Sequence, residues 1–183
     1  YLVKARISAD SISGAGFAFG VIAALLAANS YFLCALIFFL VNRLLDGLDG
    51  VVARINGPTH RGAFLDIVFD FIFYSSIPFA FALNDPANGL AACFLIFSFI
   101  GTATSFLGFA IIAAKRGIST EARGKKQFYH LGGLTEGAET IMLLCLMTLM
   151  PSYFTMLALG FGILCWITTA MRIGDAFRMF TSD

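Results

Sequence analysis

Residues 46–70 read DGLDGVVARINGPTHRGAFLDIVFD and interrupt a chain that is otherwise mostly apolar. The segment holds two pairs of aspartates: Asp46 and Asp49 are three residues apart, and Asp66 and Asp70 are four apart. On a helix, residues at either spacing lie on one face, one turn apart. Crowded carboxylates repel one another unless a cation neutralises them, and carboxylates with substrate phosphates are usual ligands of Mg2+. The spacing therefore predicts a metal site built from two helix ends.

The composition around this segment is that of a membrane protein. Of the 183 residues, 59% are hydrophobic and only 13% are charged, whereas soluble domains carry roughly 25% charged residues. The 21 Phe and 18 Gly suit lipid-facing surfaces and close helix packing. The four cysteines stand singly in apolar runs, so we expect packed thiols rather than disulfides or zinc ligands.

Six apolar segments are candidates to cross a hydrocarbon core of about 30 Å. They occupy residues 12–28, 31–45, 63–83, 89–114, 134–150 and 154–170. All 12 basic residues lie on one side of these segments, and the connections on the other side have none. By the positive-inside rule, both termini and the aspartate segment face the cytoplasm. We predict an all-α integral membrane bundle of six transmembrane helices, one domain over residues 1–183, with residues 1–10 as an interfacial segment.

The residues between the aspartates complete the pattern D-x2-D-G-x2-A-R-x7-G-x3-D-x3-D. Gly50 and Gly62 have no side chain, so a bulky ligand or a neighbouring backbone can approach them closely. Arg54 offers a planar fork for phosphate oxygens. The carboxylates can hold a metal ion against a pyrophosphate, and one of them can serve as a general base.

This pattern and the six-segment layout closely resemble the CDP-alcohol phosphotransferase family. Its signature is D-x2-D-G-x2-A-R-x8-9-G-x3-D-x3-D, and its members have six transmembrane helices. The spacer after Arg54 is one residue shorter here, which alters the loop and keeps the helical register of both aspartate pairs. The N-terminal ISADSISGAG resembles the family's ISPNxxTxxG, with Ala9 and Asp10 in place of Pro and Asn.

The resemblance implies phospholipid biosynthesis: transfer of a substituted phosphoryl group from a CDP-linked donor, usually CDP-diacylglycerol, to an alcohol with release of CMP. It implies that one or two Mg2+ or Mn2+ ions are held by Asp46, Asp49, Asp66 and Asp70. Asp70 would also deprotonate the acceptor hydroxyl. The donor-binding residues would be Gly50, Ala53, Arg54 and Gly62. We further expect a bacterial inner-membrane protein with its site facing the cytoplasm, a homodimer, and no nucleic acid partner.

Polar residues in and after the fourth connection are candidates for binding the alcohol acceptor. Arg123, Lys125 and Lys126 would hold an acceptor phosphate, or else meet anionic headgroups or fix topology. Glu136 and Glu139 would bind acceptor hydroxyls, or else balance the two lysines at a helix N-terminus, where negative charge is favoured. The shared motif leaves the acceptor itself open: glycerol phosphate, inositol phosphate, serine or another alcohol.

Three other interpretations of the motif remain. The aspartates would form a structural ion network with Arg43, Arg54 and Arg61, although such a network rarely needs this spacing. An intramembrane prenyltransferase also uses paired aspartates with Mg2+, but such enzymes need more spans and lack G-x2-A-R. A cation transporter would distribute carboxylates along a permeation path, often in internal repeats, and the sequence contains no repeat.

Gly16 and Gly20 form a GxxxG pattern in the first apolar segment. Small residues at this spacing let two helices approach closely. We expect the pattern to serve packing within one chain, with a dimer seam as the alternative.

Overall fold

A computed structural model describes residues 8–116 and 134–180 of the chain. The described part contains α-helices, two short 3-10 turns and no strand. The helices are α1 Ala9–Ala28, α2 Phe32–Asn56, α3 His60–Asn84, α4 Gly89–Lys115, α5 Gly137–Leu149 and α6 Phe154–Phe180. They correspond in order to the six apolar segments, so the predicted all-α fold class is confirmed.

The described helices differ in length and in apolar character, and not all of them meet the requirements for crossing a membrane. Four helical stretches are long and apolar enough to cross a membrane: Ala9–Ala28, His60–Asn84, Pro86–Lys115 and Pro151–Phe180. The second helix, α2, is long, but its C-terminal half carries the charged motif. The fifth, α5, has 13 residues, and at about 1.5 Å per residue it is shorter than the hydrocarbon core. The six-span topology and the cytoplasmic termini therefore stay predictions.

Helix ends depart from the predicted bounds where the motif begins. The α2 helix continues past residue 45, the end of the apolar segment, to Asn56, so Asp46 and Asp49 lie on a helix, as their spacing predicts. It ends at Gly57, whose φ of 92° lies in the left-handed region that glycine adopts without strain. Thr59 then caps α3 by accepting a hydrogen bond from the Gly62 N–H at 3.0 Å. This short turn reverses the chain and brings the two aspartate pairs together.

The N-terminal helix α1 packs against α2 and α3 through the GxxxG glycines. A Cβ on Gly16 would lie 3.3 Å from the Cβ of Leu45 on α2. A Cβ on Gly20 would lie 2.7 Å from the ring of Phe73 on α3. The expectation that these glycines serve packing within one chain is confirmed. Because α1 begins at Ala9, the end of the predicted interfacial segment 1–10 is helical, and residues 1–7 lie outside the described residues.

Aromatic rings join α2, α3 and α6 in one core. The rings of Phe81 on α3 and Phe154 on α6 stack with centroids 4.4 Å apart. The rings of Phe39 on α2 and Phe73 on α3 lie 5.1 Å apart. Contacts of this kind are favourable beyond the area they bury. All four cysteines are free thiols, as predicted, although Cys34 and Cys93 are exposed rather than packed.

Candidate active site

Three motif carboxylates meet where α2 and α3 come together. Asp46, Asp49 and Asp66 each offer one oxygen, and these oxygens all lie within 4.8 Å of one another. Asp49 is buried at 6% exposure, Asp46 is half-buried and Asp66 is exposed. Hard oxygen ligands at this spacing fit Mg2+ or Mn2+, which prefer carboxylates and water. The donor set therefore has the chemistry that the predicted metal site requires.

Asp70 lines the same cleft but stands apart from this group of three oxygens. Its Oδ1 accepts a hydrogen bond from the Arg43 guanidinium, with Nη1 at 2.9 Å. Its Oδ2 accepts a hydrogen bond from the Tyr74 hydroxyl at 3.4 Å. The same nitrogen of Arg43 lies 3.5 Å from Oδ2 of Asp46. One guanidinium thus contacts a carboxylate from each pair.

Arg43 is held in place by several partners. Its Nε donates to Asn42 Oδ1 at 2.7 Å, and the Asn42 side-chain amide donates to the Gly16 carbonyl of α1 at 2.8 Å. Its guanidinium carbon lies 4.6 Å from the centroid of the Phe73 ring, a cation–π contact. The Arg43 side chain is only 11% exposed. A buried arginine with this many partners has one defined position beside the carboxylates.

The first helix contributes Ser13, whose hydroxyl donates a hydrogen bond to Oδ2 of Asp49. Ser13, Asn42 and Tyr74 are not among the site residues predicted from the sequence, and Arg43 is predicted there only as part of an ion network. The available signals were the ISADSISGAG segment, which contains Ser13, and the spacing of three residues between Arg43 and Asp46. Neither signal indicates which carboxylate each side chain contacts.

The cleft around these groups is shallow and open to the outside. Helices α1, α2 and α3 all contribute to its lining. Phe17 of α1 and Phe69 of α3 line it, with ring centroids 4.4 Å apart. Carboxylates and aromatic rings therefore line the same cleft. This combination suits a substrate that has both phosphate and apolar parts.

The predicted donor-binding residues lie beyond the cleft lining, on the last turns of α2 and the first turn of α3. Gly50 and Arg54 adjoin each other, because a Cβ on Gly50 would lie 3.6 Å from Nη1 of Arg54. Arg54 is exposed and Ala53 is half-buried. A Cβ on Gly62 would lie 3.1 Å from the Thr59 hydroxyl oxygen, so a side chain there would crowd the cap of α3.

The predicted acceptor residues divide into two groups. Arg123, Lys125 and Lys126 lie outside the described residues. Glu136 and Glu139 form a capping box at the start of α5, where Oε2 of Glu139 accepts from the Glu136 N–H at 3.0 Å.

The start of α5 lies next to the Asp70 end of the cleft. A Cβ on Gly137, the first residue of α5, would lie 3.9 Å from the Tyr74 hydroxyl, which in turn contacts Asp70. The two glutamates therefore begin a helix that borders the site, although neither lines the cleft.

A salt bridge links the N-terminal end of α1 to the start of α3. Oδ2 of Asp10 lies 3.2 Å from Nε of Arg61, whose side chain is 79% exposed. Exposed ion pairs contribute little stability, about 0–1 kcal/mol. Arg61 is thus an ion-pair partner at the edge of the site, outside the carboxylate cluster.

Comparison with known proteins gives two matches. The profile of the CDP-alcohol phosphatidyltransferase family matches residues 7–174. The chain is 49% identical over 182 residues to the inner membrane protein YnjF of Escherichia coli strain K12. That alignment covers 99% of this chain and 88% of YnjF. No solved structure is significantly similar to the chain.

Proposed function

Because the chain belongs to the CDP-alcohol phosphatidyltransferase family, we propose that it transfers a phosphatidyl group from CDP-diacylglycerol to an alcohol and releases CMP. The observation that carries the proposal is the cluster of Asp46, Asp49 and Asp66 in a cleft that also presents Asp70. A bacterial inner-membrane location is supported by the apolar helices and by the similarity to YnjF.

In this proposal Asp46, Asp49 and Asp66 would hold a divalent ion, Mg2+ or Mn2+, with Asp70 as the neighbouring fourth carboxylate. When bound, the ion supplies positive charge that neutralises the donor pyrophosphate and stabilises CMP as it leaves. The carboxylates would keep the ion where the C-terminal part of α2 meets the N-terminal part of α3, on the cytoplasmic side. A donor anchored in the bilayer by its acyl chains presents its headgroup there. The orientation follows from the positive-inside rule.

Asp70 acts as the general base for the acceptor hydroxyl. Its carboxylate takes the hydroxyl proton while the hydroxyl oxygen attacks the phosphorus that carries the diacylglycerol. The bond between that phosphorus and the bridging oxygen of the pyrophosphate breaks, and CMP leaves with the bridging oxygen. Support for this role comes from the position of Asp70, which lines the cleft and is oriented by Arg43 and Tyr74.

Substrate-binding roles are assigned by position in the motif. Arg54 binds donor phosphate, while Gly50, Ala53 and Gly62 leave room for the cytidine. The proposed acceptor residues are Arg123, Lys125, Lys126, Glu136 and Glu139. The proximity of the start of α5 to Tyr74 supports an acceptor site on that side of Asp70. A homodimer is the expected assembly.

Release of CMP by the purified chain tests the proposed reaction. We would supply CDP-diacylglycerol and Mg2+ with glycerol phosphate, inositol phosphate, serine and other alcohols, one at a time. We expect release with one acceptor, loss of release in Asp70→Asn, and retention in Asp85→Asn. Asp85 is the matched control because it caps the turn before α4, where its Oδ1 accepts from the Ala87 N–H and asparagine can do the same. A chain that fails to bind any cytidine nucleotide would contradict the proposal.

A further inference from the structure

Arg43 is a cation already built into the carboxylate site. Its Nη1 lies 2.9 Å from Oδ1 of Asp70 and 3.5 Å from Oδ2 of Asp46. These carboxylates belong to different pairs and to different helices, α3 and α2. A positive group between two such carboxylates relieves their mutual repulsion in the same way as a bridging divalent ion.

We propose that the Arg43 guanidinium takes the place of a second metal ion in this site. The chain then binds one divalent ion, at Asp46, Asp49 and Asp66, and Arg43 supplies the second positive group between Asp46 and Asp70. Any role of this arrangement in catalysis rests on the proposed function. The predicted number of bound ions does not depend on that function.

The surroundings of Arg43 hold it in the bridging position. Its Nε bonds to Asn42 Oδ1, and Asn42 is only 3% exposed and is tied to the Gly16 carbonyl. If the guanidinium left, the oxygen of Asn42 would lose its partner inside the protein, and a buried unsatisfied acceptor is costly. The ring of Phe73 covers one side of the guanidinium and the Tyr74 hydroxyl lies 3.2 Å from Nη1. Arg43 is therefore fixed rather than free to yield to an incoming ion.

A second divalent ion on the same oxygens of Asp46 and Asp70 would lie beside this guanidinium. Like charges at contact distance repel, and the repulsion is strong where water is scarce. Arg43 also orients Asp70: with Tyr74 it donates to both carboxylate oxygens, so Asp70 keeps one position at the cleft. Arg43 is in this sense a positioning residue for the proposed base.

Titration of the metal-free, purified full chain with Mn2+ tests the inference without any assay of activity. Electron paramagnetic resonance of free Mn2+ gives the number of ions bound per chain. We expect one ion per chain, both alone and with CDP added. Asp66→Asn should weaken that binding at least about tenfold, whereas Asp70→Asn should change the Kd by less than about threefold. Two ions on the unmodified chain would overturn the proposal.

Substitutions of Arg43 test whether removal of its positive charge allows a second ion to bind. Arg43→Gln removes the charge and adds an amide oxygen between Asp46 and Asp70, so we expect a second Mn2+ to bind. Arg43→Lys keeps the charge and should keep one ion. Arg61→Gln is the matched control, because it removes one positive charge from the edge of the site and should also leave one ion. A single ion on well-folded Arg43→Gln would overturn the proposal, and if that variant does not fold, the unmodified chain and Asp70→Asn decide.

The two proposals can fail separately. A chain that binds one Mn2+, and two after Arg43→Gln, but releases no CMP with any alcohol upholds the role of Arg43 and contradicts the reaction. A chain that releases CMP while binding two ions upholds the reaction and contradicts the role of Arg43.

Discussion

Ser13 lies on α1, far along the chain from Asp49, and yet its hydroxyl donates a hydrogen bond to that carboxylate. Asp49 is the most buried member of the aspartate cluster, so water does not easily replace a lost donor. A donor on one carboxylate oxygen fixes the direction in which the other oxygen points. Groups that orient metal ligands in this way usually matter to metal affinity nearly as much as the ligands themselves.

The role of Ser13 can be tested by removing its hydroxyl. We expect Ser13→Ala to raise the Kd for Mn2+ about tenfold, because the buried Asp49 carboxylate loses its orienting donor. The measurement is the same Mn2+ titration of the metal-free chain. Ser13→Thr keeps the hydroxyl and should bind normally. Ser11→Ala is the matched control, since Ser11 is exposed and the partner of its hydroxyl among the described residues is the Ser8 hydroxyl at the helix cap. Equal effects at both serines would contradict the prediction.

At the scale of elements, α2 has two parts with different physical chemistry. Its N-terminal part is apolar and its C-terminal part carries Arg43, the first aspartate pair and Arg54. Both parts form one continuous helix from Phe32 to Asn56. The packing of the apolar part therefore also sets the direction in which the two aspartates face. The turn at Gly57 then sets α3 beside it. The aspartate cluster is thus positioned by a helix hairpin.

Close packing of α1 on this hairpin depends on Gly20, and a pair of alanine substitutions tests it. Gly to Ala in a helix gains about 1 kcal/mol from propensity alone, whereas overpacking costs about 1–3 kcal/mol. At Gly20 the new Cβ would lie 2.7 Å from the ring of Phe73, which is only 1% exposed and has little room to move. The packing cost therefore exceeds the gain, and Gly20→Ala should lower the thermal unfolding temperature in detergent.

Gly14 provides the matched control on the same helix. Among the residues that the structure describes, none lies within 4 Å of a Cβ at that position, so the propensity gain is the expected effect. Gly14→Ala should leave the unfolding temperature unchanged or raise it. A fall of the same size for both variants would mean that the close approach at Gly20 is not what stabilises α1.

At the scale of the whole molecule, the arrangement in the bilayer depends on α2 and α5, which are less apolar or shorter than the other four helices. The basic residues favour six crossings, because the turns at residues 29–30, 84–88 and 151–153 carry none. If α2 crosses, the positive-inside rule predicts that its motif end and the cleft face the cytoplasm.

Labelling of single cysteines determines this topology. In a chain whose own cysteines are replaced, we would introduce Tyr31→Cys, Ala87→Cys, Ser152→Cys and Asn56→Cys, all at exposed positions. A membrane-impermeant maleimide should label the first three in intact cells and Asn56→Cys only after the membrane is opened. Labelling of Tyr31→Cys and Asn56→Cys from the same side would show that α2 does not cross.

Local sequence patterns were enough to predict the helices, the family and the presence of a carboxylate cluster. These follow from local patterns: apolar runs of a given length make helices, and aspartates spaced by one turn share a helix face whatever the rest of the chain does. A turn marked by Asn56, Gly57 and Pro58 then brings the two pairs together. For the same reason the predicted segments match the helices in order, although α2 and α6 extend farther than their apolar runs.

The pairing of the charged groups in the cleft, by contrast, depends on how the helices pack. Three aspartates share one cluster, while Asp70 is paired with Arg43, and Ser13 rather than a motif residue supports Asp49. Arg43 and Asp70 are 27 residues apart, and Ser13 and Asp49 are 36 apart. Contacts at such separations depend on how α1, α2 and α3 pack, which is set by the Gly16 and Gly20 approach and by ring contacts. No local periodicity encodes that geometry, because each helix would form with the same side chains in any packing.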